Sequence, residues 1–135
     1  MIVYGTTGSR SIKDQAWVFQ KLTEVIKRPA ILITGVAEGP DTFVTTWGRS
    51  RKYNVFALKS ANKYFSWLWQ SPQDNCLYYA RDYQVVDNCQ ILIAFWDGGS
   101  VGTKKTMDYA KKCHKPIHLF LSETKSLLNM DTFLK

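Results

Sequence analysis

Three apolar runs, each followed at once by a turn that contains glycine and then by a helical pattern, most constrain how this chain can fold. The runs lie at residues 1–4, 30–33 and 90–96, and the turns at residues 5–10, 34–41 and 97–103. Glycine lets a backbone adopt positive φ and approach another group closely, and the N–H groups at a helix start favour negative charge. The sequence therefore predicts strand–turn–helix units whose turns approach an anion.

Extended and helical patterns alternate along the chain. Strands are predicted at about residues 2–5, 30–34, 54–58, 90–96 and 116–121, and helices at about residues 11–27, 40–51, 74–87 and 102–113. Ser11 and Asp14 resemble a capping box at the start of the first helix. Strands separated by helices indicate βαβ units, which build a parallel sheet with right-handed crossovers.

The runs at residues 30–34 and 90–96 do not alternate with polar residues, as expected of central strands covered on both faces. We therefore predict one Rossmann-like α/β domain of three layers over residues 1–121, with helices on both faces of a parallel sheet. The sheet has about five strands in the order 3-2-1-4-5. Residues 122–135 are predicted to form a C-terminal tail or a short helix.

The composition restricts the class of protein. The chain has 135 residues, enough for one domain with its own core, and a net charge of +7. It has no apolar run of the ~20 residues that span a bilayer and no signal-peptide pattern. Its three cysteines lack a C-x-x-C spacing and indicate neither disulfides nor a zinc site. We expect a cytoplasmic protein without membrane contact, metal or cofactor, attracted to anions of any size.

The predicted strand order places the ends of strands one and four side by side, where ligands bind in such sheets. Three structural alternatives stay open: Ser100 and Asp41 could cap helices, and Arg10 could form a salt bridge with Asp14 or Asp41. The candidate ligand-binding residues are Gly8, Ser9, Arg10, Gly35, Gly39, Asp41, Arg81, Asp97, Gly98, Gly99, Ser100, Gly102 and Thr103.

Four motifs in this order resemble the SLOG superfamily, and within it the small DUF2493 (YspA-like) branch. They are T-G-S-R at residues 7–10, G-x-A-x-G-x-D at residues 35–41, Arg81, and F-W-D-G-x-S-x-G-T-x-x-T at residues 95–106. The resemblance extends over about residues 2–121. It implies a Rossmann-like domain that binds nucleotide-derived ligands, such as cyclic-nucleotide or ADP-ribose-type signals, and that forms dimers or tetramers.

The related lonely-guy phosphoribohydrolases carry the motif P-G-G-x-G-T-x-x-E, in which the glutamate and an upstream arginine act. Here Thr106 stands in the place of that glutamate, and glycosidic cleavage needs a carboxylate. The sequence therefore favours a binder of a nucleotide-derived small molecule, either a sensor or a sponge that sequesters an immune signal.

Two alternatives to the small-molecule binder remain. An enzyme of the phosphoribohydrolase type would use Arg81 with a substitute carboxylate, Asp97 or Glu38. A nucleic-acid binder has the least support from the sequence, since it rests only on the net charge. Nucleic acid is therefore not the expected partner.

Overall fold

The computed structural model describes residues 1–36, 39–58 and 76–122. Strands and helices alternate in these ranges: β1 (Ile2–Gly8), α1 (Gln15–Val25), β2 (Ala30–Thr34), α2 (Pro40–Ser50), β3 (Asn54–Ala57), α3 (Cys76–Asp87), β4 (Ile91–Trp96), α4 (Val101–Lys112) and β5 (Ile117–Leu121). The strands form one parallel sheet in the order β3-β2-β1-β4-β5. The predicted fold class and strand order are confirmed.

The central strand β4 shows how the sheet is covered on both faces. Ile93 and Phe95 are fully buried in the cluster that contains the apolar residues of α1 and α2. Leu92 and Ala94 are fully buried in the cluster on the other face, under α3 and α4. Because successive side chains of a strand point to opposite faces, a strand covered twice must be apolar throughout.

The first helix begins at Gln15, so the capping box predicted at Ser11 is wrong. Asp14 is the N-cap, and its carboxylate accepts a hydrogen bond of 3.1 Å from the backbone N–H three residues further on. The Ser11 hydroxyl instead donates to Asp97 Oδ2 at 2.7 Å. Ile12 is buried in the core, so the chain crosses the edge of the sheet before it turns into a helix.

Glu38 and nearly all of the predicted tail at residues 122–135 lie outside the described residues. Strand β5 ends at Leu121, close to the predicted end of the domain. Within the described ranges, none of the helices combines the length and the apolar character that crossing a bilayer requires.

Candidate functional site

The turns after β1, β2 and β4 meet at the carboxyl edge of the sheet. Gly8 lies so close to Pro40, the first residue of α2, that a Cβ on Gly8 would be 2.5 Å from the proline ring. Gly39 has a φ of 83° and packs against the backbone of Arg10. A Cβ added to Gly39 would lie 3.4 Å from the Cα of Arg10. These glycines allow backbone segments to approach each other, and the close approach brings the turns together.

Ser9 connects the turn after β1 to the turn after β4. Its backbone N–H donates to the carbonyl of Phe95 at 2.9 Å, which extends the pairing of β1 with β4 by one residue. Its hydroxyl accepts a bond of 3.1 Å from the Asp97 N–H and lies 3.5 Å from Thr103 Oγ1. Ser9 is almost completely buried, so its side chain holds the two turns in a defined arrangement.

The side chain of Asp97 stabilises the glycine turn by accepting hydrogen bonds from the backbone of that turn. Its Oδ1 accepts hydrogen bonds from the N–H groups of Gly99, at 2.8 Å, and Ser100, at 2.7 Å. Burial acts to raise the pKa of Asp97, but the bonds from Ser11, Gly99, Ser100 and Ser9 outweigh it and lower the pKa below its usual range. The N–H groups of Gly99 and Ser100, two of the candidate ligand-binding residues, therefore already bind an ionised carboxylate.

The outer face of this turn is free of contacts from the residues that the structure describes. Among those residues, a Cβ added to Gly98, which has a φ of 87°, or to Gly102 would meet no atom within 4 Å. A Cβ on Gly99 would lie 3.9 Å from Asp97 Oδ1. Ser100 is the N-cap of α4, yet its hydroxyl makes no capping bond and donates instead to Thr103 Oγ1 at 3.4 Å. The turn thus presents bare backbone to a ligand that arrives from outside.

The side chains of Asp41 and Arg81 approach Gly35 just after the end of β2, and we call this place the crevice. A Cβ on Gly35 would be 2.7 Å from Asp41 Oδ2 and 2.8 Å from Arg81 Nε, so the glycine makes room for both side chains. Asp41 is buried and accepts a bond of 3.1 Å from the Thr34 hydroxyl. The N-cap of α2 is Gly39, and Asp41 lies in the first turn of that helix.

The Arg81 guanidinium is held in this crevice with its hydrogen-bonding capacity only partly used. Its Nη2 lies 3.6 Å from Asp82 Oδ1, and the side chain is only 13% exposed. Its Nε is buried and has no hydrogen-bond partner among the residues that the structure describes. A buried donor without a partner costs free energy, so such a group calls for an explanation, and a bound anion is one.

Asp82, the residue after Arg81, belongs to the same crevice, and its burial there was not predicted. Burial raises the pKa of its carboxyl group, against the opposing effects of Arg81, the Thr106 hydroxyl and the charge of Arg10. Helical spacing is the signal that could have found it. Arg81 and Asp82 lie four residues before Val85 and Val86, which are both buried against the sheet.

The raised pKa predicts that the protein loses stability relative to an Asp82→Asn variant as pH rises. A carboxyl whose folded pKa exceeds its unfolded value supports the fold fully below the unfolded pKa, and that support is lost as pH rises through the folded pKa. The melting temperature of Asp82→Asn relative to the natural protein should therefore increase as pH rises above about 4.

Thermal unfolding followed by circular dichroism across this pH range measures the effect. Asp108→Asn is the matched control, because Asp108 is half exposed and pairs with Lys104 on the surface of α4, where ion pairs contribute little. A relative stability of Asp82→Asn that is constant with pH, or that falls as pH rises, contradicts the assignment of a buried, costly charge.

No family model matches the chain, and no curated protein matches its sequence. Among solved structures, its fold is similar to that of DNA processing protein A from Helicobacter pylori, which is described as having a single-stranded DNA binding mode. The two chains are 15% identical with a TM-score of 0.66, and the match covers 90% of this chain and 66% of the other. This likeness shows a shared fold. The resemblance to the SLOG superfamily and the expected homo-oligomer stay predictions.

The sequence-based prediction of a sensor or sponge for a nucleotide-derived small molecule is wrong. The structurally similar protein is described as binding single-stranded DNA, and this finding overturns a cyclic-nucleotide or ADP-ribose-type ligand. The geometry of the turn supplies a physical reason, because the Asp97 carboxylate occupies N–H groups that a small phosphorylated ligand would need.

Proposed function

We propose that this protein binds single-stranded DNA across the carboxyl edge of β1, β2 and β4. The observation that carries the proposal is the Arg81 guanidinium, which is held in the crevice with a buried Nε that lacks a partner among the described residues. A guanidinium with unused donors suits a phosphate oxygen, because it can donate two parallel hydrogen bonds. The similarity in fold to DNA processing protein A supports the choice of ligand.

Further cations lie at the same edge. Arg10 is exposed on the turn after β1, and its charge acts on Asp82 in the crevice. Lys104, in α4 just after the open glycine turn, pairs with Asp108 at 3.0 Å, and both side chains are about half exposed. An exposed pair of this kind is weak, so Lys104 can exchange its partner for a phosphate. A strand that crosses the edge thus meets Arg10, Arg81 and Lys104.

The same edge has room and apolar surface for bases. Val36 follows β2 and is 48% exposed, and Val101 begins α4 after β4 and is 63% exposed. These strands flank β1, so the two valines follow strand ends at the same edge of the sheet. Unstacked bases can place their faces on such side chains, whereas in a duplex the faces of the bases are covered by stacking on their neighbours. The arrangement therefore favours a single strand over a duplex.

Fluorescence anisotropy with labelled single-stranded DNA tests the proposal, with a duplex of the same sequence and free mononucleotides as competitors. We expect the single strand to bind best and its affinity to fall with salt, since each phosphate contact contributes about 0.7 to the logarithmic salt slope. Arg10→Ala should weaken binding and reduce that slope by about 0.7.

Lys112→Ala is the matched control for this measurement. Lys112 is also exposed and cationic, but it lies in the last turn of α4, at the opposite end of that helix from the glycine turn. Its replacement should leave the salt slope unchanged. Absence of binding to single-stranded DNA at low salt, or equal losses in Arg10→Ala and Lys112→Ala, would overturn the proposal.

A further inference from the structure

A second cationic surface lies at the amino edge of the sheet, opposite the crevice. A groove of about 510 Å³ opens between the carboxyl-terminal ends of α1 and α2. Its lining includes three cations, Lys27, Arg28 and Arg51, and two aromatic residues, Trp47 and Tyr53. We call it the amino-edge groove. None of the motifs in the sequence identifies it, because its two halves come from separate connections.

Aromatic stacking holds the two arginines in place. Trp47 and Tyr53 stack with their ring centroids 5.3 Å apart and their planes at 15°. The Arg28 guanidinium lies 4.2 Å from the centroid of Tyr53, and that of Arg51 lies 5.1 Å from the centroid of Trp47. The indole N–H of Trp47, a buried residue, donates to Thr23 Oγ1 at 3.2 Å, which anchors the stack to α1. Planar guanidiniums on such a platform lose little freedom when they bind.

The charges of the groove are not neutralised by carboxylates of the residues that the structure describes. Arg28 donates to the backbone carbonyl of Arg51, and Lys27 donates to that of Thr23 at 3.0 Å, so these bonds position the cations without cancelling their charge. None of the described residues that line the groove carries a carboxylate. Throughout the described parts of the chain, no acid forms an ion pair with Lys27, Arg28 or Arg51. The negative ends of the two helix dipoles compensate only in part.

We infer that the amino-edge groove binds the phosphate backbone of the same DNA strand, as a second contact beyond the carboxyl edge. This inference rests on the proposed function. Phosphates are the better match than bases, because guanidiniums already cover the aromatic faces and Trp47 is buried. Guanidiniums also match phosphate oxygens in both charge and geometry. Binding in the groove is accordingly independent of base sequence.

The size of the domain determines which DNA strands reach both surfaces. Strand β1 has seven residues, so the two edges of the sheet are about 20 Å apart. A stacked strand rises about 3.4 Å per nucleotide, and about six nucleotides span that distance. An oligonucleotide of about five nucleotides occupies one surface at a time, and one of about twenty nucleotides reaches both.

Anisotropy titrations of the full chain with these two labelled oligonucleotides test the inference. The test variant is Arg28→Gln with Arg51→Gln, which keeps planar side chains on the aromatic platform and removes both charges. We expect the longer oligonucleotide to lose about tenfold in affinity at low salt and its logarithmic salt slope to fall by about 1.4. The shorter one should keep its affinity within about twofold, because it binds the carboxyl edge without the groove.

Arg49→Gln is the matched control, because Arg49 is exposed in the last turn of α2 but does not line the groove. An unchanged thermal transition shows that the double variant remains folded. If that variant binds the longer oligonucleotide like the natural protein while Arg10→Ala still weakens binding, the groove is not a DNA site and the proposed function survives. If neither oligonucleotide binds the natural protein, both proposals fail. If the double variant loses affinity for polyglutamate but keeps its affinity for both oligonucleotides, the groove is a site for an acidic protein. That result would overturn the inference.

Discussion

Replacing Arg81 with alanine should lower the affinity for single-stranded DNA by about 10- to 100-fold. Hydrogen bonds from a charged donor contribute about 1.5–3 kcal/mol, and each 1.4 kcal/mol corresponds to about tenfold in affinity. Arg81 is the cation set deepest among those proposed to contact DNA at the carboxyl edge, with a side chain only 13% exposed. Its interaction with a phosphate is therefore screened less by salt than that of the exposed Arg10.

Two further variants separate the charge of Arg81 from its geometry. Arg81→Lys keeps the charge but loses the planar fork, and it should recover only part of the affinity. Gly35→Ala leaves every charge in place, but its new methyl group would lie 2.8 Å from Arg81 Nε and displace the guanidinium. It should therefore weaken binding as well. Anisotropy titrations at one salt concentration give all three affinities.

Arg49→Ala controls for the loss of one positive charge, since Arg49 is exposed at the end of α2. Removing Arg81 also leaves the Asp82 carboxylate without the cation that lies 3.6 Å away, so each variant needs a melting curve beside its titration. If Arg81→Ala is folded and binds DNA as tightly as Arg49→Ala, Arg81 does not contact the strand. The carboxyl-edge proposal then loses the observation that carries it.

Replacing Phe95 with alanine should lower the free energy of unfolding by about 3–5 kcal/mol, the usual cost of a large cavity in a core. Phe95 is fully buried in the central strand β4. Its ring stacks on Phe120 at a centroid distance of 5.6 Å and meets the edge of Trp17 at 5.7 Å. Both aromatic contacts are lost together with the buried area. Urea denaturation followed by circular dichroism measures the change.

Phe56→Ala is the matched control, because it removes the same ring from the edge strand β3, where Phe56 is 56% exposed. It should cost about 1 kcal/mol or less, since exposed positions lose little when a side chain is truncated. Similar losses in the two variants would mean that Phe95 is not in the core that β4 shares with α1 and α2.

The strand order was predictable because it depends on local patterns. Each apolar run ends in a turn, each helix returns the chain to the other edge, and a parallel sheet leaves few arrangements open. The start of α1 was not predictable in the same way. Ser11 is a good capping residue by type, but its hydroxyl is used by Asp97, which is 86 positions away in the chain. A local rule fails where a distant residue competes for the same group.

The sequence by itself determined that the glycine turns after β1, β2 and β4 share one edge, because parallel strands end together on the same side of a sheet. Only the tertiary structure decided what these turns hold. The Asp97 carboxylate accepts hydrogen bonds from two backbone N–H groups of its own turn. The Arg81 side chain contacts Gly35 although its helix lies more than forty residues further along the chain. The tertiary structure also brings Arg28 and Arg51 onto one aromatic platform from two separate connections. Packing and electrostatics between distant segments set these contacts, and spacing along the chain does not encode them.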